Sequence, residues 1–256
     1  MNRARSSSEI GNPSPARCAE QTDLSRKLAI VIPTLWEADN IRELLERIQG
    51  SLDPLRIDYE LVIVDDDSQD GIDSIVEEFS LKDPRIRLVI RKNVRGLAGA
   101  IVHGWHDTDA GILGVIDADL QHPPELLPLL WHALESGADI AVASRYAPQA
   151  NRQSLNRFRH LVSRLAIVMA WPLQKPSRRI LDVMSGCFLM RRSCIQTVQF
   201  QTAGFKILLE ILVRGRIRSA VEVPFKFGQR SAGKSKASLG VAIDYVRLLG
   251  ELWRAH

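Results

Sequence analysis

The sequence predicts an α/β fold: a mainly parallel, doubly wound sheet with helices on both faces. Three observations carry this expectation. From residue 28 to 146, apolar runs of strand length alternate with segments of helical periodicity, the rhythm of successive β-α-β units. The strand runs are continuously apolar rather than alternating, as expected of strands covered on both faces. A length of 256 residues suits one such domain with appendages.

The elements follow in order. Residues 1–26 are rich in Ser, Pro and Arg and lack the apolar core of a signal peptide, so they are expected to be a disordered tail. LAIVIPT (28–34) is the first strand. Within 40–48, Ile41, Leu44, Leu45 and Ile48 share one helical face. YELVIVDD (59–66) is the second strand, and the helix after it has Ser68 or Asp70 as its expected N-cap. IRLVIRK (86–92) is the third strand, followed by a helix over 97–107. GILGVIDAD (111–119) is the fourth. Pro123 and Pro124 suit the first turn of the next helix, with Glu125 near its positive end. ADIAVASRY (138–146) is the fifth strand.

The rhythm then breaks. Residues 154–171 have the pattern of an amphipathic helix, CFLMRR (187–192) of a short strand, FKILLEILVRG (205–215) of a helix and AVEVPFKF (220–227) of a strand. A Gly/Ser/Lys loop over 228–238 leads to a last helix, 239–253. The expected division is a tail (1–26), one domain (27–238) and a C-terminal amphipathic helix (239–256) packed on the domain or on a membrane surface.

Composition narrows the function. Hydrophobic residues at 45% and charged residues at 25% are ordinary for a globular protein. No run of about 18 apolar residues occurs; the longest, Leu161 to Leu173, is broken by Arg164 and Pro172. Cys18, Cys187 and Cys194 are odd in number and form no CxxC, which excludes a disulfide framework or zinc site and fits a reducing cytoplasm. Cys187 and Cys194 read as small buried apolar residues. The net charge of +4 is uneven: Arg145, Arg152, Arg157, Arg159, Arg164, Lys175, Arg178, Arg179, Arg191 and Arg192 face Asp182 alone in their stretch. By charge, that block suits nucleic acid, lipid head groups or a phosphorylated substrate.

Ligands of an open α/β sheet bind beyond the carboxyl ends of its strands. Those ends here read Pro33-Thr34-Leu35-Trp36-Glu37, Asp65-Asp66-Asp67-Ser68, Asp117-Ala118-Asp119 and Ser144-Arg145-Tyr146. Asp117 and Asp119 repel each other unless a hard divalent cation, Mg²⁺ or Mn²⁺, lies between them and substrate phosphates complete its shell. Gln121 adds a neutral oxygen. His122 is a possible ligand, although a His so placed is more often a surface residue.

The segments VIPTLWEADNI, VDDDSQDG, GLAGAIVHG, DADLQHPPE, ASRY, DVMSG and RSAGKSK occur in that order. Together, over roughly 28–250, they resemble the family 2 glycosyltransferases of the GT-A fold, and among those the dolichol- or polyprenol-phosphate mannosyltransferases. The resemblance implies a nucleotide-sugar donor, GDP-mannose foremost, and a dolichyl or polyprenyl phosphate acceptor. It implies that Pro33, Leu35, Glu37, Val64 and Asp66 border the nucleoside. Asp117, Ala118, Asp119 and Gln121 would hold metal and diphosphate, Arg145 would reach the donor, and Arg230 and Lys236 would close over the phosphates. Arg159 and Ser163 match positions that grip the acceptor phosphate, and their i, i+4 spacing puts them on one helix face. Asp182 and Glu210 are further candidates for positioning the sugar. The chain departs from the family pattern at Leu35-Trp36 (usually Tyr-Asn), Ala98 (usually Gly) and Val183 (usually Pro).

The implied reaction is a single inverting displacement by an ionised lipid phosphate, assisted by the metal and by Arg and Lys groups. A peripheral enzyme of protein glycosylation at the cytoplasmic face of a membrane follows, with residues 154–173 as the acceptor's entry, no nucleic-acid partner, and room for a membrane-anchoring partner subunit. The alternatives are a family 2 transferase using a UDP-sugar (glucose or N-acetylhexosamine) and a non-enzymatic basic membrane-binding module. A nicotinamide dehydrogenase is disfavoured because PTLWEADN, not Gly-x-Gly-x-x-Gly, follows the first strand.

Overall fold

The structure, a computed structural model, describes residues 25–147, 171–174, 179–200, 207–225, 250 and 253. Its order is β1 (Leu28–Thr34), α1 (Ala38–Leu52), β2 (Tyr59–Asp65), α2 (Ile72–Lys82), β3 (Ile86–Ile90), α3 (Leu97–His106), β4 (Ile112–Ile116), α4 (Leu127–Glu135), β5 (Ile140–Ser144), β6 (Cys187–Arg191), α5 (Ile207–Arg214) and β7 (Ala220–Pro224). The seven strands form one sheet in the order β3-β2-β1-β4-β6-β5-β7. All neighbours run parallel except β6, which lies antiparallel between β4 and β5. The mainly parallel sheet expected from the sequence is the one observed.

Alternation along each strand divides the core in two. Ala29 and Val31 of β1 pack with α3 and α5 on one face. Leu28, Ile30 and Ile32 pack with α1, α2 and α4 on the other, against Ile41, Leu44, Leu45 and Ile48 of α1. Every residue of β1 and β4 is buried, which is why these runs carry no polar alternation. Helix α3 lies close on the sheet because Gly104 has no Cβ; a Cβ there would stand 2.8 Å from the Val31 methyls.

Several boundaries move. Strand β4 ends at Ile116, not 119, so the acidic pair lies beyond the ladder. Strands β2, β3 and β7 also end early, at Asp65, Ile90 and Pro224. After Pro123 the chain makes one 3₁₀ turn, Pro124–Leu126, before α4 begins. The N-cap of α2 is Gly71 at φ +89°, without a side-chain cap. Neither Ser68 nor Asp70 takes that place, because Ser68 turns back to Asp65 while Asp70 bonds Ala38 N, Ser68 Oγ and Ile72 N. The tail to residue 24, the helix expected over 154–171 up to residue 170, the loop over 228–238, and the last helix apart from Gly250 and Trp253 lie outside the described residues; so do Arg159, Ser163, Arg230 and Lys236. No helix among the described residues is long and apolar enough to cross a membrane.

Candidate active site

In the strand order, β1 lies between β2 and β4; the α1 crossover from β1 to β2 packs on one face of the sheet and the α3 crossover from β3 to β4 on the other. A cleft therefore opens beyond the carboxyl end of β1. The rim of that cleft is built from strained turns. Trp36 (φ +59°), Asp67 (+55°), Gln69 (+52°), Asn93 (+60°) and Leu120 (+58°) all adopt left-handed backbone without being glycine. They follow β1, β2, β3 and β4. Such conformations cost on the order of 1–3 kcal/mol each and gather at functional sites.

The end of β2 gives two of its three aspartates different roles. Asp65 is buried and accepts hydrogen bonds from Thr34 Oγ1 (2.9 Å), Ser68 N (2.7 Å) and Ser68 Oγ (2.9 Å). It holds the turn. Asp66 is also buried, and accepts from Arg91 Nε (2.7 Å) and Gly96 N (2.7 Å). Arg91 in turn donates to the Gly96 carbonyl (3.1 Å). This pair locks the ends of β2 and β3 to the start of α3. Pro33 and Val64 are buried partners in the β1–β2 register, so they can border a ligand through backbone only. Glu37 starts α1 with its carbonyl and bonds Asn40 through its carboxylate (2.9 Å); Leu35 beside it is half-buried.

Beyond β4, Asp117 and Asp119 stand two residues apart, and the chain turns left-handed just after them at Leu120 (φ +58°). Asp117 N donates to the Gly186 carbonyl (3.0 Å). Gly186 allows this close approach: a Cβ would lie 1.8 Å from Asp117 Oδ2, so the carboxylate would have to move. Asp119 Oδ1 accepts from Gln121 N (3.1 Å). Ala118 is buried, and Gln121 is half-exposed. Below Asp117 a cavity of about 50 Å³ runs under residues 183–186, between Leu97 of α3 and Ile207 and Leu208 of α5.

Arg145, just past β5, faces this acidic turn. Its Nε and Nη2 donate to Asp182 Oδ2 (2.8 Å) and Oδ1 (2.7 Å), and its backbone N to Oδ2 (3.0 Å). Asp182 is completely buried, and its own N–H donates to Glu222 Oε1 of β7 (3.1 Å). Asp182 thus reaches the site by aiming Arg145. Burial pulls the Arg145 pKa down, but the Asp182 hydrogen bonds and the charges of Asp182, Tyr146 and Asp117 together hold it above its ordinary value. The guanidinium stays charged.

His122 is not a surface residue. It is buried, with Nε2 3.5 Å from Ser185 Oγ and its ring 5.1 Å from that of Phe225. Burial first, then the Arg145 charge, push its pKa down to about 4, against the opposing pull of Asp182 and Asp119. The imidazole is neutral at neutral pH. Glu210, expected near a sugar, is buried and paired with Arg214 within α5 (2.9 Å); the cavity takes its α5 wall from Ile207 and Leu208 instead.

Sequence reasoning missed Arg91, Gly186 and Glu222. An Arg directly after an apolar strand was a usable signal for Arg91. Nothing local marks Glu222, whose partner is 40 residues away.

The family profile described as Glycosyl transferase family 2 matches residues 29–198. The chain is 38% identical over 228 residues to a dolichol-phosphate mannosyltransferase of Pyrococcus furiosus, covering 89% of this chain and 64% of that protein, so it spans just under two thirds of that relative's length. It is 35% identical over 240 residues to a dolichol-phosphate mannosyltransferase of Saccharomyces cerevisiae, covering 90% of this chain and 88% of that one. In fold it is similar to the glucosyl-3-phosphoglycerate synthase of Mycobacterium tuberculosis solved with Mn²⁺ and UDP-glucose, with a TM-score of 0.63 at 19% identity over 90% of this chain and 78% of that chain.

Proposed function

The chain belongs to glycosyl transferase family 2 and is a glycosyltransferase, and from that premise we propose that it moves a hexose, mannose from GDP-mannose foremost, onto a dolichyl or polyprenyl phosphate. The observation that carries this reading is the pairing of Asp117 and Asp119 beyond β4 with the Asp182-aimed Arg145 beyond β5. Both relatives are named dolichol-phosphate mannosyltransferases.

A divalent cation fits the acidic turn. Among the described residues, no group of three or more His, Cys, Asp or Glu side chains could hold a metal alone. Two carboxylates and the Gln121 amide are instead a partial set of hard oxygen donors, the kind completed by phosphate oxygens and water. The missing Cβ of Gly186 is what lets the Asp117 carboxylate take its place against the 182–186 turn. When bound, Mg²⁺ or Mn²⁺ supplies positive charge against the leaving diphosphate. Mn²⁺ is present in the similar fold of the M. tuberculosis enzyme.

The protein's residues do the rest. Arg145, held charged and fixed by Asp182, stabilises the same developing charge at no cost of reorientation. Asp66, Pro33, Val64, Leu35 and Glu37 border the nucleoside. Arg230 and Lys236 approach the diphosphate, and Arg159 and Ser163 receive the acceptor phosphate. That phosphate is largely ionised near neutral pH, so its oxygen attacks without a general base. The new bond to the anomeric carbon forms as the bond to the GDP oxygen breaks on the opposite side, and an α-linked donor gives a β-linked product. The acceptor's tail stays in the bilayer, because exposing it costs about 0.8 kcal/mol per CH₂. The enzyme therefore works peripherally at the cytoplasmic face, with residues 154–173 and the C-terminal segment toward lipid or an anchoring subunit.

The test is a donor panel of GDP-mannose, UDP-glucose and UDP-N-acetylglucosamine with a short polyprenyl phosphate. Transfer is expected with GDP-mannose, lost in EDTA and restored by Mg²⁺ or Mn²⁺. Preference for a UDP-sugar would replace the donor, and full activity in EDTA would remove the metal.

A further inference from the structure

Trp36 combines two unfavourable features. It is a bulky residue in left-handed backbone, φ +59°, a conformation that Asn adopts with less strain. It is also 55% exposed, so burial does not offset the strain. A cation lies beside its ring: the Arg95 guanidinium carbon is 5.2 Å from the ring centroid, within cation–π range. Trp36 follows β1 and Arg95 follows β3. Since β2 lies between these strands, the pair bridges across the carboxyl end of β2. Asp66 and Arg91 sit at that end, and Asp66 accepts the N–H of Gly96, the residue next to Arg95.

An exposed ring over a cation, spanning a buried carboxylate–guanidinium pair, matches one chemistry: a flat heteroaromatic ring with hydrogen-bonding edges. We propose that Trp36 and Arg95 form a stacking shelf for the nucleobase of the donor and set its base preference. The base stacks on the shelf while its edge faces Asp66 and Arg91. A purine covers more of the indole than a pyrimidine, so the shelf favours GDP over UDP. This inference rests on the nucleotide-sugar reading above.

The experiment is calorimetric titration of the whole protein with GDP and with UDP, each with Mn²⁺, using the wild type, Trp36→Asn and Trp36→Phe. Asn relieves the backbone strain, so its melting temperature is expected to equal or exceed that of the wild type. GDP affinity is nevertheless expected to fall roughly tenfold, the usual size of a lost base–aromatic stack, and UDP affinity less. Phe, which keeps a ring, should recover most of the loss. In the transfer assay, Trp36→Asn should raise the donor KM more than it lowers kcat. Wild-type GDP binding by Trp36→Asn overturns the shelf and leaves the donor reading intact. A wild type that binds neither nucleotide overturns both. Loss of binding to anionic liposomes with GDP affinity retained makes Trp36 a membrane contact and also overturns the shelf.

Discussion

The two ends of the sheet are made of similar residues and behave differently. At the amino end, ionic groups are spent on one another and on backbone. Glu60 meets Lys27 (3.2 Å), Arg87 (3.4 Å) and Thr108, and Arg87 also pairs with Asp107. Arg192 donates to the carbonyls of Trp105, Thr108 and Ala110, closing the end of α3. Asp139 accepts the N–H groups of Arg218 and Ser219. One left-handed non-glycine residue, Arg56 (φ +52°), lies there, in the turn before β2. At the carboxyl end, the turns after β1 to β4 carry the other five left-handed non-glycine residues of the described chain, Asp117 and Asp119 follow β4 two residues apart, and Trp36 is exposed. One end maximises local satisfaction; the other holds strain and concentrated charge. Sites that bind and stabilise transition states have the second character, because groups aimed at a ligand cannot all be aimed at each other.

Substitutions at the two ends should separate these characters. The largest effect on turnover is expected from Asp119→Ala, which should lower transfer about 10³-fold. Removing one of two repelling carboxylates should leave the melting temperature unchanged or raised; a large fall would assign Asp119 to the scaffold. Next is Asp182→Asn, which leaves the half-buried Arg145 without its fully buried counter-charge. It should cost about 3 kcal/mol in denaturant unfolding and at least tenfold in kcat, and both losses together mark a group that serves fold and chemistry alike. Unchanged kcat would break the link from Asp182 to Arg145.

The smallest effect belongs to the amino end. Glu60→Gln should leave transfer unchanged and lower the melting temperature by a few degrees at neutral pH, worth less than about 1 kcal/mol. Burial pushes the Glu60 carboxyl up, but the Thr108 hydrogen bond and the charges of Lys27 and Arg87 pull it below its ordinary value. Its contribution is therefore present above the unfolded carboxylate pKa and lost as pH falls through the lower folded value. The gap between wild type and Glu60→Gln should close in acid. A gap that widened there would reverse the assignment.

Much of this contrast was legible in advance. The continuous apolar runs located β1, β2, β4 and β5, and the acidic and basic clusters that follow them gave most of the rim. Boundaries slipped where polar residues continue an apolar run: Asp117 to Asp119 reads as strand end, yet the ladder stops at Ile116 and Leu120 turns left-handed. His122 was misread as a surface residue because its cover, Ser185 and Phe225, comes from far along the chain.

By itself the sequence determined which residues form the sheet, which strand ends carry carboxylates and which arginine follows β5. These follow from periodicity and from the local order of residue types, both short-range properties. The tertiary structure alone decided what each charge is used for. Asp65 holds a turn, Asp66 holds Arg91, and Asp182 disappears under Arg145 with Glu222 behind it. Asp65 and Asp66 are neighbours and look alike in a string of letters. They differ once folding brings a guanidinium to one and not to another, because the fate of a carboxylate is set by the partners within about 3 Å of it, and most of those partners here lie more than 20 residues away.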